Sequence, residues 1–306
     1  MRLSVALIVL VVACSPSPLD PGDAGPVSPA DAGPVLAEEV AELGSSSEGI
    51  AIGRTPDGAP VLYVGTLDDR IVRVAPDGVV GDFVAIRDPL GIAVRDDGTL
   101  VVCGKETASG APVIFSVTAD GAISTLIAAA PGGEPFALTN FVAIAPDGSL
   151  VFSDSAGDRV YRADADGTNV ALVTDAITYP NGLAFSPAGD TLYVASWDTE
   201  VLHALPFDTR SGTYGTPAPA ITGIANVDGI VTTATGALVL VTSSRGILLV
   251  DPEAPEDEPT LLAPLRAITL PANAVLGDSA FGEGELYVAA LAEGSVWVVH
   301  TDLAAP

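Results

Sequence analysis

An all-β chain folded as a six-bladed β-propeller of four-stranded antiparallel blades is what the sequence predicts, on three observations. A unit of roughly 40 to 50 residues, the length of one blade, recurs along the chain. Within each unit apolar and polar residues alternate with the period of a strand. A strand-like segment ahead of the first unit lacks a partner, and the last unit lacks a fourth strand.

The first two strands of each unit are the clearest. Gly49-Ile-Ala-Ile leads to Leu62-Tyr-Val-Gly, Gly91-Ile-Ala-Val to Leu100-Val-Val-Cys, and Val142-Ala-Ile to Leu150-Val-Phe-Ser. Leu183-Ala-Phe then leads to Leu192-Tyr-Val-Ala, Gly229-Ile-Val to Leu238-Val-Leu-Val, and Ala274-Val-Leu to Leu286-Tyr-Val-Ala. Between them lie turns rich in Asp, Gly and Pro, among them Pro76-Asp-Gly, Asp97-Gly, Asp120-Gly and Pro146-Asp-Gly, where glycine supplies the left-handed backbone that a tight turn requires. Third strands follow at Arg70-Ile-Val-Arg-Val, Arg159-Val-Tyr-Arg-Ala, Val201-Leu-His-Ala-Leu and Ser295-Val-Trp-Val-Val. The only short candidate for a helix, Ala37-Glu-Glu-Val-Ala-Glu-Leu, reads equally as extended. Residues 35–43 are expected to supply the outer strand of the last blade, which closes the ring and removes two exposed sheet edges.

The chain begins with an export signal. Met1-Arg2 is a minimal positive region, residues 3–12 form an apolar run too short to span a bilayer, and Ala13-Cys14 follows. Leu10-Val-Val-Ala-Cys14 resembles the bacterial lipoprotein box, with its Leu one position early. The resemblance implies a signal peptide over residues 1–13, lipidation of Cys14 and a place in the bacterial cell envelope. Residues 15–34 are rich in Pro, Asp, Ala, Gly and Ser and repeat Asp-Ala-Gly-Pro-Val at Asp23 and Asp31; such a tract buries almost nothing and reads as a tether. The organisation expected is residues 1–13 signal, 14–34 lipidated Cys and tether, 35–306 propeller.

Composition limits the partners. With a formal charge of -27 and Lys105 as the only lysine, the chain repels phosphates, which excludes nucleic acid and leaves the lipid anchor as the only expected membrane contact. Nothing in the sequence calls for an obligate protein partner. Cys103, in the second strand of a unit, reads as a small buried hydrophobe and not as a nucleophile. His203 and His300 fall on third strands, away from the channel mouth, so neither a triad nor a histidine metal site is expected. Gly277-Asp-Ser-Ala lacks the glycine elbow of a serine hydrolase, and Asp164-Ala-Asp-Gly-Thr-Asn169 lacks the terminal Glu of an EF-hand; both read as turns.

Four residues stand out at or just before the first strand of four successive units: Glu48, Asn140, Asn181 and Asp228. In a propeller the starts of the first strands surround one end of a shared channel. Two carboxylates and two carboxamides there form an oxygen donor set suited to one hard divalent cation, calcium above all. Each residue alone fits a turn or a solvated loop, since Asn-Gly and Asp-Gly are common turn dipeptides. Their equivalent places in repeated units are what favour a site.

Ser47-Glu48-Gly49, Thr139-Asn140-Phe141, Tyr179-Pro-Asn181-Gly182-Leu-Ala-Phe-Ser-Pro, Val227-Asp228-Gly229-Ile, Thr191-Leu-Tyr-Val-Ala and Phe207-Asp-Thr-Arg-Ser-Gly212 resemble, in order and spacing, the motifs of the regucalcin and gluconolactonase (senescence marker protein-like) family. The chain is similar to a bacterial lipoprotein member of it. The resemblance implies one divalent cation held by Glu48, Asn181 and Asp228, with Asp228 also the catalytic group, and Asn140 contacting substrate or metal. It makes Asn273, in Pro271-Ala-Asn273, a further candidate for the substrate site. Asp158 falls where a substrate-contacting acid is expected, while Asp154 ends the second strand of the same unit. Two positions depart from the family pattern: Leu138 stands where sugar lactonases often carry Arg, and Phe141 where Asp usually follows the substrate Asn. Both substitutions are expected to make the mouth more apolar.

Two functional classes follow. One is an exported, calcium-dependent hydrolase of small-molecule lactones or related esters, in which the cation polarises the carbonyl and Asp228 takes a proton from the attacking water. The other is a non-catalytic, metal-stabilised propeller that binds a ligand or protein at the envelope.

Overall fold

The computed structural model describes residues 37–306. The expected signal peptide, Cys14 and the tether lie outside the described residues. Six antiparallel sheets follow one another along the chain and form the six blades of a propeller.

Blade one comprises Ser47–Arg54, Pro60–Thr66, Arg70–Val74 and Val80–Ala85, from the channel outward. Blade two comprises Ile92–Val94, Leu100–Lys105, Pro112–Val117 and Ile123–Ile127. Blade three is Thr139–Ile144, Leu150–Asp154, Arg159–Ala163 and Ala171–Thr174. Blade four is Pro180–Phe185, Thr191–Ser196, Val201–Asp208 and Ala218–Thr222, with a two-residue strand, Thr213–Tyr214, paired to the far end of its third strand. Blade five is Val227–Thr232, Leu238–Thr242, Gly246–Val250 and Thr260–Ala263.

Blade six has two chain origins. Pro271–Leu276, Leu286–Ala290 and Ser295–Val299 are its first three strands, and Ala37–Glu42 is the fourth, with Ala37 opposite Val299 and Glu42 opposite Ser295. The segment that reads as helix or strand is therefore a strand, and it closes the ring. Its inward residues Ala41 and Leu43 pack with Ile50, Leu62, Val296 and Val298, so the seam between the last blade and the first is as apolar as the others.

The core lies between blades. Each sheet shows one face to the preceding blade and one to the next, so second strands are buried on both faces: Leu62, Val64, Leu100 to Cys103, and Leu238 to Val241 are fully inaccessible. This is why these strands read as continuous apolar runs. Burying each such side chain contributes about 1.5–3 kcal/mol. Cys103 is among them, and burial raises its thiol pKa, which makes it inert. His203 lies on a third strand, and His300 lies one residue past the end of another, between Glu285 and Glu38 at the opposite end from the first-strand starts. Gly277 and residues 164–169 are in turns.

Candidate metal centre and channel mouth

The innermost strands share a defect in the same place. Their register with the second strand slips between Ser47 and Ile50, Thr139 and Val142, Pro180 and Leu183, Val227 and Gly229, and Pro271 and Asn273. Such a bulge leaves a residue outside the ladder and re-aims its side chain. Glu48, Asn140, Asn181, Asp228 and Ala272 occupy the slips. In blade two the regular strand starts only at Ile92, and Leu90 takes the corresponding place. The four oxygen-bearing residues accordingly come from blades one, three, four and five. They are not in successive units, as the spacing predicts, because blade two places an aliphatic residue between Glu48 and Asn140.

A second repeated feature pins these entries. At the end of each second strand a backbone N–H is donated to the loop ahead of the first strand: Leu67 to Ser46, Ser155 to Leu138, Trp197 to Tyr179, Ser243 to Asn226 and Leu291 to Leu270 from the first residue past the strand, and Lys105 to Arg87 from the last residue of its strand, at 2.8 to 3.1 Å. Two residues before Leu90, Asn181, Asp228 and Ala272, the chain passes through positive φ at Asp88, Tyr179, Asn226 and Leu270. A non-glycine residue held there costs about 1–3 kcal/mol and persists only where surrounding bonds fix it.

Side-chain hydroxyls add links between blades. Ser47 Oγ donates to the Ala290 and Ser295 carbonyls of blade six at 3.1 and 3.2 Å, Thr139 Oγ1 to Val113 O of blade two at 3.1 Å, and Ser155 Oγ to Pro180 O of blade four. Close approach of the backbones is also built in. A Cβ on Gly49 would lie 1.9 Å from Leu90 O, and one on Gly182 would lie 2.4 Å from Asp228 O. Only glycine allows the inner strands to come this near.

The four side chains meet. Asn140 Nδ2 donates to Asn181 Oδ1 at 2.9 Å, and both amides are buried. The Asn181 amide favours the charged form of Asp228, but burial and the Glu48 carboxylate push the Asp228 pKa far above the usual carboxylate range. Burial pushes Glu48 up to about 7. As residues Glu48 and Asp228 are part-exposed, while protein surrounds their carboxyl groups densely. No lysine, arginine or histidine among the described residues acts on either one. Among the described residues no group of three or more His, Cys, Asp or Glu side chains is placed to hold a metal. The donor set is thus two carboxylates with two amides, and two like charges without a counter-ion are what a divalent cation would compensate. Glu48, Asn181 and Asp228 are the residues that would hold it, with Asn140 backing Asn181.

The remaining predicted residues are placed around this centre. Leu138, two residues before Asn140, is half-buried and gives its N–H to Asp154 Oδ1 at 2.6 Å; Ala137 N–H is bound by the same oxygen at 2.9 Å. Asp154 is buried, which raises its pKa against the pull of these N–H groups and of Arg159. Asp158, in the turn after it, accepts the Tyr179 N–H at 2.8 Å. Phe141 and Asn273 each stand one residue past the bulge position and line the channel beneath the centre. Asn273 Oδ1 accepts the N–H of Ala274 at 2.8 Å. That channel, about 440 Å³, is walled by Ile50, Ile92, Ile230 and Val275. Tyr179 was given no role by its sequence, yet Asp228 and Glu48 lie near enough to raise the pKa of its phenol, after burial and Asp198. Its place immediately before Pro180-Asn181 is the only sequence signal for it.

Known proteins of this shape can now be set beside the chain. The family model described as SMP-30/Gluconolactonase/LRE-like region matches residues 53–292. A gluconolactonase from Xanthomonas campestris is 21% identical with a TM-score of 0.71, over 88% of this chain and 89% of that one. Regucalcin from Agrobacterium tumefaciens, described as a calcium-binding protein, is 17% identical with a TM-score of 0.68, over 89% and 94%. A chain of a nidogen/laminin complex is 17% identical with a TM-score of 0.61, over 84% and 93%. No curated protein matches the sequence. At these identities the structural likenesses establish the fold.

Proposed function

Because the chain belongs to the SMP-30/gluconolactonase/LRE-like family, we propose that it is an exported hydrolase of lactones or related esters that depends on one divalent cation, calcium. The observation that carries this is the convergence of Glu48 and Asp228, two carboxylates without a counter-ion, with Asn140 and Asn181 at one end of the channel. A divalent cation bound there supplies Lewis acidity toward a carbonyl oxygen and lowers the pKa of water.

The chain's own residues supply the rest. Asn140 orients the Asn181 amide through the bond between them. Asp228, densely surrounded by protein, is placed to accept a proton from the water that attacks the carbonyl and to return it to the leaving oxygen. Leu138, half-buried two residues before Asn140, offers no cation to a sugar acid, which favours a neutral, less polar small molecule. The reading includes a lipid on Cys14 and a bacterial envelope location, with no nucleic acid or obligate protein partner.

The test is a calcium titration of residues 35–306 followed by a panel of lactones and esters. Asp228→Asn should abolish turnover while leaving the fold intact. Turnover by Asp228→Asn at the parent rate overturns the enzymatic assignment.

A second reading, a non-catalytic propeller that keeps the cation for structure and binds a ligand or protein, is favoured by Leu90 and Ala272, which interrupt the ring of polar side chains. Calcium binding without turnover of any lactone or ester is its expected outcome.

A further inference from the structure

The turn acids Asp69 and Asp158 are a matched pair. Each is the last residue before the third strand of its blade, at Arg70 and Arg159, and each adopts positive φ, 69° and 53°. Each carboxylate reaches to the next blade and accepts one backbone N–H there. Asp69 Oδ1 takes that of Asp88 at 3.1 Å, and Asp158 Oδ1 takes that of Tyr179 at 2.8 Å. Both acceptor bonds end on residues with positive φ, 44° for Asp88 and 43° for Tyr179, and both of these lie two residues ahead of the bulge position.

The two devices differ in what they deliver. Past Asp88 the bulge position is Leu90, which has no polar atom to present. Past Tyr179 it is Asn181, whose Oδ1 receives Asn140 and whose amide acts on Asp228. Tyr179 is an aromatic residue directly before a proline, where both the side chain and the following ring disfavour a left-handed backbone. Four bonds hold the entry: the Asp158 carboxylate on the Tyr179 N–H, the Trp197 N–H on the Tyr179 carbonyl, the Ser155 hydroxyl on the Pro180 carbonyl and the Ser196 hydroxyl on the Thr178 carbonyl. Of these only the first is made by a charged side chain.

We propose that Asp158 is a positioning residue, which holds Tyr179 in its left-handed conformation and thereby sets Asn181 in the cation site. This rests on the reading of that site given above, and it assigns Asp158 a task different from the substrate contact that its motif position implies. What Asp158 contributes is an acceptor oxygen, so its charge and its acidity are dispensable.

Four single variants test this: Asp158→Gly, Asp158→Asn, Asp69→Gly and Asp69→Asn. Glycine removes the acceptor without straining the turn, and asparagine keeps an acceptor oxygen and tolerates positive φ. Amide hydrogen exchange over residues 178–183 and over residues 87–92 is read together with calcium affinity by calorimetry, using calcium alone. Asp158→Gly should deprotect the Tyr179 amide and weaken calcium about tenfold, and Asp158→Asn should restore both toward the parent. Asp69→Gly should deprotect the Asp88 amide and leave calcium affinity unchanged, and Asp69→Asn should restore that protection. The proposal is overturned if Asp158→Gly leaves the Tyr179 amide protected, or if Asp158→Asn behaves like Asp158→Gly. It is also overturned if Asp69→Gly weakens calcium as much as Asp158→Gly, since the effect would then be a general loosening of the mouth. Should the parent bind no calcium, the cation reading fails by itself, and Tyr179 exchange in the Gly and Asn variants still decides the positioning role.

Discussion

Asn140 of blade three and Asn181 of blade four are joined side chain to side chain, Nδ2 to Oδ1, across 2.9 Å. The bond leaves Asn181 Oδ1 a second lone pair, so the same oxygen can face a cation while Asn140 holds it from behind. Asn140→Ala should therefore weaken calcium by roughly three- to tenfold, the effect of one buried hydrogen bond of about 1 kcal/mol. Asn140→Asp should weaken it less, because the added charge attracts the ion. Calcium titration of both variants checks the order.

Protonation and the cation should compete. Glu48 has a folded pKa of about 7, above its unfolded value, so the folded state holds an extra proton between these two values. Stability of the chelated protein should fall as pH rises through that window, by on the order of 1–3 kcal/mol, and calcium should remove the fall. His300, whose pKa is raised first by its bond to Glu285 and then by nearby charges including Glu38, shifts stability in the same direction. Its side chain is 41% exposed, and its share should be small. Thermal melts of the chelated parent and of Glu48→Gln at pH 5 and pH 8 isolate the Glu48 share, since the variant keeps the contributions of buried Asp228 and of His300.

The closing strand should be indispensable. Leu43→Ala removes a buried side chain at the seam between blades six and one and should cost about 2–3 kcal/mol. Deleting residues 35–43 uncovers the outer edge at Ser295–Val299 and should abolish cooperative unfolding. Calorimetry of both proteins is the check, and an unchanged melt of the deletion would contradict the closure.

Cys14→Ser, expressed with its own leader, should move the protein from the membrane pellet to the soluble fraction after cell breakage. Retention in the pellet would remove the lipid anchor from the reading.

Alternation and Asp-Gly turns made most strands legible, because a residue's face in a sheet follows directly from its parity. Three things escaped. Thr213–Tyr214 is too short to carry a period. The bulges are properties of pairing between strands and leave no mark in one strand's composition, so Asn273 looks like a fifth member of the set although Ala272 holds the equivalent place. Blade two was passed over because its opening presents no polar side chain, although Gly91-Ile-Ala-Val repeats Gly49-Ile-Ala-Ile and sets Leu90 in the place of Glu48. Asp158 and Tyr179 meet across 21 positions of chain, and nothing local in either predicts the other.

The backbone pins ahead of the bulges have a consequence for how this mouth can change. Each is an N–H to carbonyl bond, made by residues as different as Leu67, Lys105, Ser155, Trp197, Ser243 and Leu291. Where these backbone bonds carry the entry, the position behind it is free to exchange its own side chain. The six places around the axis therefore behave as interchangeable sockets, of which this chain fills four with oxygen and leaves Leu90 and Ala272 blank. Converting either blank to Asp or Asn adds an oxygen to the mouth while the ladder behind it stays as it is. Within one unaltered scaffold, the charge and coordination of the site can drift independently of the fold that carries it.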